Sequence, residues 1–318
     1  MESNKYVCDI NNINITLEKY GIAIIENVIN DNEIQEMING MWGFLENATK
    51  QLPIPIDRTK IETYKEFKNL YPIHSMLVQH WGIGHAQFIW NLRQNKNIIN
   101  IFSKIWNISE DNLLVSFDGA SFHMPQEITG YGEFKNEWYH TDQSYTRNNF
   151  ECVQSWVTAY DVNENDATLS ILEGSNKYHK EFSICFNKQD KTDWNKITEE
   201  ELNWYLNKGC KKINIVCKAG SLVLWDSRTI HYGKEPNTRT KPNFRCVVYL
   251  CYTPRFLATE SSLAKKQKAF NELRTTNHYP HKPKLFPKTP HTYGKPLFNI
   301  KSIEKPILNQ LGYKLAGF

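Results

Sequence analysis

Ala219-Gly-Ser-Leu-Val-Leu-Trp-Asp-Ser-Arg-Thr-Ile-His231-Tyr-Gly-Lys-Glu-Pro236 reads as an apolar strand running out into a loop, with a histidine just past the strand's end. Fourteen residues beyond that histidine, Arg245-Cys-Val-Val-Tyr-Leu-Cys-Tyr252 forms a second apolar run with a cation at its first position. Outward from these lie Leu113 to Phe117, Cys152 to Tyr160, Leu169 to Leu172 and Ile213 to Lys218, short runs punctuated by Gly, Asn and Asp. Ala219-Gly220, between two of the runs, predicts a hairpin turn. Short strands scattered this way predict a mainly β chain, an antiparallel sandwich or barrel with flanking helices.

Helical signals surround the strands. Gly21 to Val28 reads as an entry strand, after which Asn30 with Glu33 forms a capping-box start. Ile34, Met37, Ile38, Met41, Trp42 and Leu45 then recur at helical spacing. Thr198 with Glu201 predicts another capped helix. A last helix is expected over Ser262 to Arg274, with the lysines of Lys265-Lys-Gln-Lys-Ala269 as a solvated face, and the Pro- and Lys-rich stretch from Tyr279 as irregular chain. We expect one domain over residues 1–318: a mostly helical part to 112, a β core over 113–255, then a helix and tail over 256–318.

At 318 residues and 40% hydrophobic content the chain can bury a sizeable core. A net charge of +4 is too weak for a nucleic-acid footprint, which needs a clustered basic stripe. Seven cysteines, odd in number and without a C-x-x-C pair, read as reduced thiols rather than a zinc ribbon or redox pair. Without a signal-peptide start or an apolar run of about 20 residues, a soluble, cytoplasmic protein is expected, with no membrane partner.

In Trp138-Tyr-His-Thr-Asp-Gln-Ser-Tyr145, His140 and Asp142 are two apart, so an extended chain sends both side chains from one face. An imidazole nitrogen and a carboxylate oxygen then share one cation. A second histidine completes the two-His, one-carboxylate set used by non-haem iron(II), which leaves positions open for cosubstrate and oxygen. His231, ninety-one residues on and hence on another strand, is the candidate. The guanidinium of Arg245 matches a carboxylate bidentately, and Arg239 is its rival for that role. Without these partners, His-x-Asp reads as an ordinary hydrogen-bonded pair. His80 and His85, flanking Trp81-Gly-Ile-Gly84, read as ordinary polar histidines, and His278 and His281, separated by Pro280, as surface residues. Asp118 and Gln154 fit pocket walls and turn or strand positions equally well, as Trp81, Trp90, Tyr131 and Trp138 fit pocket and core.

His140-Thr-Asp142, Gln154-Ser-Trp156, Leu172-Glu-Gly-Ser175 and the stretch from Ala219 through His231 to Arg245 resemble, in order, the phytanoyl-CoA dioxygenase-like (PhyH) branch of the iron(II)/2-oxoglutarate oxygenases. The resemblance covers roughly Tyr20 to Tyr252. It implies a double-stranded β-helix, a jelly roll of cupin-like type, with iron on His140, Asp142 and His231 and 2-oxoglutarate on Arg245. Trp156 aligns with a tryptophan lining the cosubstrate pocket in relatives, and an ordinary core tryptophan is the other reading. The implied activity is a dioxygenase hydroxylating a small organic or lipid-like molecule, with O2 consumed, succinate and CO2 released, and ascorbate as a stimulant. Retention of Asp142 points to hydroxylation over halogenation, since halogenating relatives replace that carboxylate. A non-catalytic jelly-roll binding or regulatory protein and a nucleic-acid-modifying oxygenase are the alternatives. Asn165-Asp-Ala-Thr168 and Glu173-Gly-Ser-Asn176 depart from the relatives' pattern in a loop that borders their active site, which implies a different substrate. No peroxisomal ending is present, which speaks against phytanoyl-CoA itself.

Overall fold

A computed structural model describes residues 5–70, 77–130, 136–237, 241–288 and 303–318. Among these the strands are β1 (Ile22–Ile25), β2 (Leu77–Val78), β3 (Leu113–Val115), β4 (Ala120–His123), β5 (His140–Thr141), β6 (Val153–Thr158), β7 (Thr168–Glu173), β8 (Asn195–Lys196), β9 (Lys211–Asn214), β10 (Leu222–Asp226), β11 (His231–Lys234) and β12 (Arg245–Pro254). The helices are α1 (Ile13–Tyr20), α2 (Asp31–Thr49), α3 (Gln87–Arg93), α4 (Lys96–Trp106), α5 (Gln126–Thr129), α6 (His179–Cys185), α7 (Glu199–Asn207), α8 (Glu260–Asn271) and α9 (Gln310–Leu315).

One sheet runs β1-β10-β6-β12-β4-β2, with β3 on the far half of β12; the other runs β8-β5-β11-β7-β9. From β4 onward the main strands alternate between sheets, broken only where β7 pairs with β9, and every ladder is antiparallel. This is the double-stranded β-helix.

The period of two in the strands sorts their side chains. Leu222 and Leu224 of β10, with Cys246, Val248 and Leu250 of β12, join the core under α2, α3 and α4. Their neighbours Val223, Trp225 and Val247 face the other way, onto Leu169, Ile171 and Ile213 of the smaller sheet. Arg245 and Tyr249 share the inward face of β12 with Val247 by the same alternation, which brings a guanidinium between the sheets.

The helix starts follow their local chemistry. Asn30 and Glu33 form a reciprocal capping box on α2, as Thr198 and Glu201 do on α7. The hairpin expected at Ala219-Gly220 does not form: β9 pairs with β7 in one sheet and β10 with β1 and β6 in the other. Gly220, at φ +78°, is instead a corner between sheets, and a Cβ there would lie 2.7 Å from the Ile29 carbonyl oxygen. Nor is Lys266 part of a solvated face. Its stem and ammonium are buried, bonding the Val115 carbonyl and lying 3.8 Å from the Phe117 ring centroid. No described helix is long and apolar enough to cross a membrane.

After α8 the chain doubles back as a loop, 275–286. Thr276 pairs with Leu285, and the Phe286 N–H donates to the Thr275 carbonyl at 2.9 Å. This loop reaches the site described next.

Candidate metal centre and cosubstrate pocket

His140 and His231 are direct register partners where β5 meets β11, so antiparallel pairing alone places both imidazoles on one face. Their ring centroids lie 4.5 Å apart. His231 opens β11 rather than trailing the preceding strand, because residues 227–230 turn the chain from one sheet to the other. Asp142 follows β5, its N–H donating to the Ser227 carbonyl at 3.3 Å. One ligand atom from each of the three lies within 4.8 Å of the others.

The hydrogen bonds fix the ring faces. His231 Nδ1 lies 2.8 Å from the Thr229 carbonyl oxygen and His140 Nδ1 lies 3.3 Å from that of Trp138. A carbonyl only accepts, so each Nδ1 carries a hydrogen and each ring turns its Nε2 toward Asp142. Those contacts are 3.3 Å from His231 and 3.6 Å from His140. With both Nδ1 atoms occupied, two Nε2 atoms and a carboxylate converge, and this donor set of two imidazoles and one carboxylate suits iron(II).

Burial is the main influence on His140, pushing it below its ordinary value and favouring the neutral ring. Burial would raise Asp142, but the electrostatic pull of the neighbouring His140 and His278 holds it well below the usual carboxylate range. Gln154 Nε2 donates to Asp142 Oδ2 at 3.0 Å, and the Tyr279 hydroxyl donates to the Asp142 carbonyl at 2.9 Å. Trp138 stacks on His140, with centroids 4.9 Å apart and planes within 2°.

A cavity of about 290 Å³ opens onto the triad and is also lined by Arg245, Ser121, Tyr249, Leu169, Trp138, Trp194 and Trp225. Arg245 is buried, its Nε donating to Ser121 Oγ at 3.2 Å and its Nη1 to the Ala167 carbonyl at 3.1 Å. Among the described residues no carboxylate forms an ion pair with it. Trp156 is fully buried and absent from the cavity wall; its ring backs the guanidinium, 5.3 Å from centroid to Cζ. Arg239 and Tyr131 lie outside the described residues.

Several expectations change here. The segments 165–168 and 173–176 do not line the cavity. Ser175 Oγ instead accepts from the Ile230 N–H, and the Asn176 amide donates to carbonyls at the end of α1. His278 is not a surface residue but lines the cavity, and His281 is buried against Thr253 Oγ1 at 3.0 Å. His85 is a core residue, bonded through Nε2 to the Arg274 carbonyl and lowered by burial to about 3. Trp90 is core, and Trp138 is pocket wall. Asp118 and Gln154 are both on the cavity wall. Ser121, Tyr249 and Trp194 were not foreseen. Alternation along β12 from Arg245 would have found Tyr249; no local pattern marks Trp194.

Residues 17–241 match the family described as Phytanoyl-CoA dioxygenase (PhyH), more than two thirds of the chain. The chain belongs to this family of iron(II)- and 2-oxoglutarate-dependent oxygenases. The matched residues contain the triad and leave Arg245 and the 275–286 loop outside. A sequence relative is "Ava biosynthesis cluster protein O" of Aspergillus versicolor, 27% identical over 212 residues, which are 64% of this chain and 66% of that protein. Among solved structures, hypothetical protein JW0805 from Escherichia coli superposes with a TM-score of 0.62 at 12% identity, over 98% of this chain and 85% of that one. GlcNAc Inducible Gene 2 from Candida albicans gives 0.56 at 15% identity, over 85% and 71%. These structural likenesses speak to the fold.

Proposed function

We propose that the chain is a hydroxylase that holds iron(II) on His140, Asp142 and His231 and 2-oxoglutarate on Arg245, and acts on a small organic or lipid-like molecule. The observation that carries this reading is the convergence of one ligand atom from each of His140, Asp142 and His231 within 4.8 Å, the Nε2 atoms 3.3 and 3.6 Å from the Asp142 oxygens and each Nδ1 held by a carbonyl. When bound, iron(II) with 2-oxoglutarate and dioxygen supplies the oxidant for converting a C–H bond to an alcohol, with succinate and CO2 as by-products.

This chain's residues supply position and surroundings. The two imidazoles and the carboxylate would hold the metal, and the cavity beside them leaves room for cosubstrate. Gln154 fixes the carboxylate's orientation, and the carbonyls of Trp138 and Thr229 fix the rings. Arg245, buried and without a protein anion among the described residues, offers its guanidinium to the far carboxylate of 2-oxoglutarate. Trp138 and Trp225 crowd the imidazoles with apolar surface and limit water there.

Anaerobic titration with iron(II) and 2-oxoglutarate tests the reading through the visible charge-transfer band of the chelate. A folded protein giving the band, and forming succinate in air with ascorbate, supports it. A folded protein giving neither is a jelly-roll binding protein instead.

A further inference from the structure

One group on the cavity wall is left without work by the metal and cosubstrate. Asp118 lies in the connection between β3 and β4; it is 8% exposed, and its Oδ2 accepts from Ser116 Oγ at 3.0 Å. No ion pair reaches it among the described residues. The 275–286 loop is fastened over it: the Thr276 N–H donates to the Phe117 carbonyl at 3.1 Å, and the Phe117 N–H donates to Thr276 Oγ1 at 3.2 Å. That fastening carries His278 to the same cavity, where its Nε2 is buried without a hydrogen-bond partner. Asp118 and His278 line one space without bonding each other.

Charge counting isolates Asp118. With iron(II) and 2-oxoglutarate in place, the dication and the Arg245 guanidinium are balanced by Asp142 and the two carboxylates of the cosubstrate. Asp118 is then the remaining formal charge on the described wall, and the buried Arg93 behind it gives its Nη2 to the Asp118 carbonyl at 2.8 Å rather than to the carboxylate. Burial raises its carboxyl above the ordinary value, outweighing the pull of His278, Ser116 and Arg93. A hydrogen-bond donor entering the cavity would relieve that cost. An aromatic stretch of wall, Trp138, Trp194 and Phe286, lines the same cavity, which also holds the polar Gln79 and Asn277.

We propose that Asp118 and His278 form the substrate-recognition subsite, which takes a small molecule with an apolar, ring-like body and one hydrogen-bond-donating group, an amine or a hydroxyl. This rests on the site being an iron(II)/2-oxoglutarate centre. The donor goes to the Asp118 carboxylate, His278 Nε2 takes the group's remaining hydrogen-bonding capacity, and the body lies against the aromatic wall.

The test uses full-length protein loaded with diamagnetic zinc(II) and 2-oxoglutarate. Benzylamine, benzyl alcohol and toluene are titrated by ligand-detected NMR. At least one donor-bearing probe should bind about tenfold more tightly than toluene, the worth of a hydrogen bond to a charged group. Whichever is tighter identifies the donor. Asp118→Leu should erase the preference without changing toluene binding. Asp118→Asn, which keeps the shape and removes the charge, should weaken benzylamine more than benzyl alcohol and stands in should the leucine variant fail to melt cooperatively. Probes that bind alike or not at all, or a preference that survives loss of the carboxylate, overturn the subsite. Binding of 2-oxoglutarate is followed in the same samples: if it persists without donor preference, only the subsite fails; if it is absent, the reading of the metal centre fails too.

Discussion

Asp142 stands at the meeting of four contacts: both imidazoles, the Gln154 amide and, through its carbonyl, Tyr279. Asp142→Ala should abolish conversion of 2-oxoglutarate to succinate; persistent turnover would remove it from the metal. Gln154→Leu keeps every proposed ligand but frees the carboxylate, so iron(II) affinity should fall about 10–100-fold, measured against a competing chelator. Arg245→Leu leaves an anionic cosubstrate unpaired and should raise its apparent KM about thirtyfold or more, with the metal still bound. An unchanged KM would assign the anchor elsewhere. The triad was legible because His-x-Asp, a later strand-end histidine and a misplaced arginine are local signals that reinforce one another. Asp118 with His278 was not, because they meet through a Thr276–Phe117 pairing 159 positions apart, which no local pattern encodes.

Elements show the same division. The capping boxes at Asn30 and Thr198 could be read directly, since each is complete within four residues. Gly220 could be read as a turn but not as a corner: positive φ says that the chain bends and leaves open which sheet receives the next strand. Gly220→Ala should lose about 1–3 kcal/mol in urea unfolding, from left-handed backbone strain with a contact to the Ile29 carbonyl. A loss much smaller than that would mean the corner relaxes freely. Lys266 misled because its helix shows basic residues on most sides, and only packing on Phe117 singles out the one that is buried.

The molecule as a whole should be acid-sensitive. Burial lowers His85 to about 3 and His179 and His281 to about 4. In the unfolded chain each titrates near 6.5, so below that pH the unfolded state binds more protons. Stability is therefore fully present above about pH 7 and falls as the pH drops toward 4, which thermal melts of metal-free protein will show as a declining Tm. A flat profile would mean these rings are solvated. Manganese(II) with 2-oxoglutarate should raise Tm, by about 2.7 kcal/mol of added stability at a hundredfold excess over Kd, and a chelator should reverse it.

The strand order has a consequence for biosynthesis. Strand β6 takes its neighbours from β10 and β12, and β5 and β7 both wait for β11. A nascent chain that has delivered β5 to β7 from the ribosome therefore owns two of the three proposed metal ligands and no sheet to hold them. His140 and Asp142 gain their partner histidine only when β11 arrives, and Arg245 follows later still. On the proposed ligand set, iron capture becomes a late event in the life of the polypeptide, and ribosome-stalled chains ending before His231 should emerge unable to retain the metal.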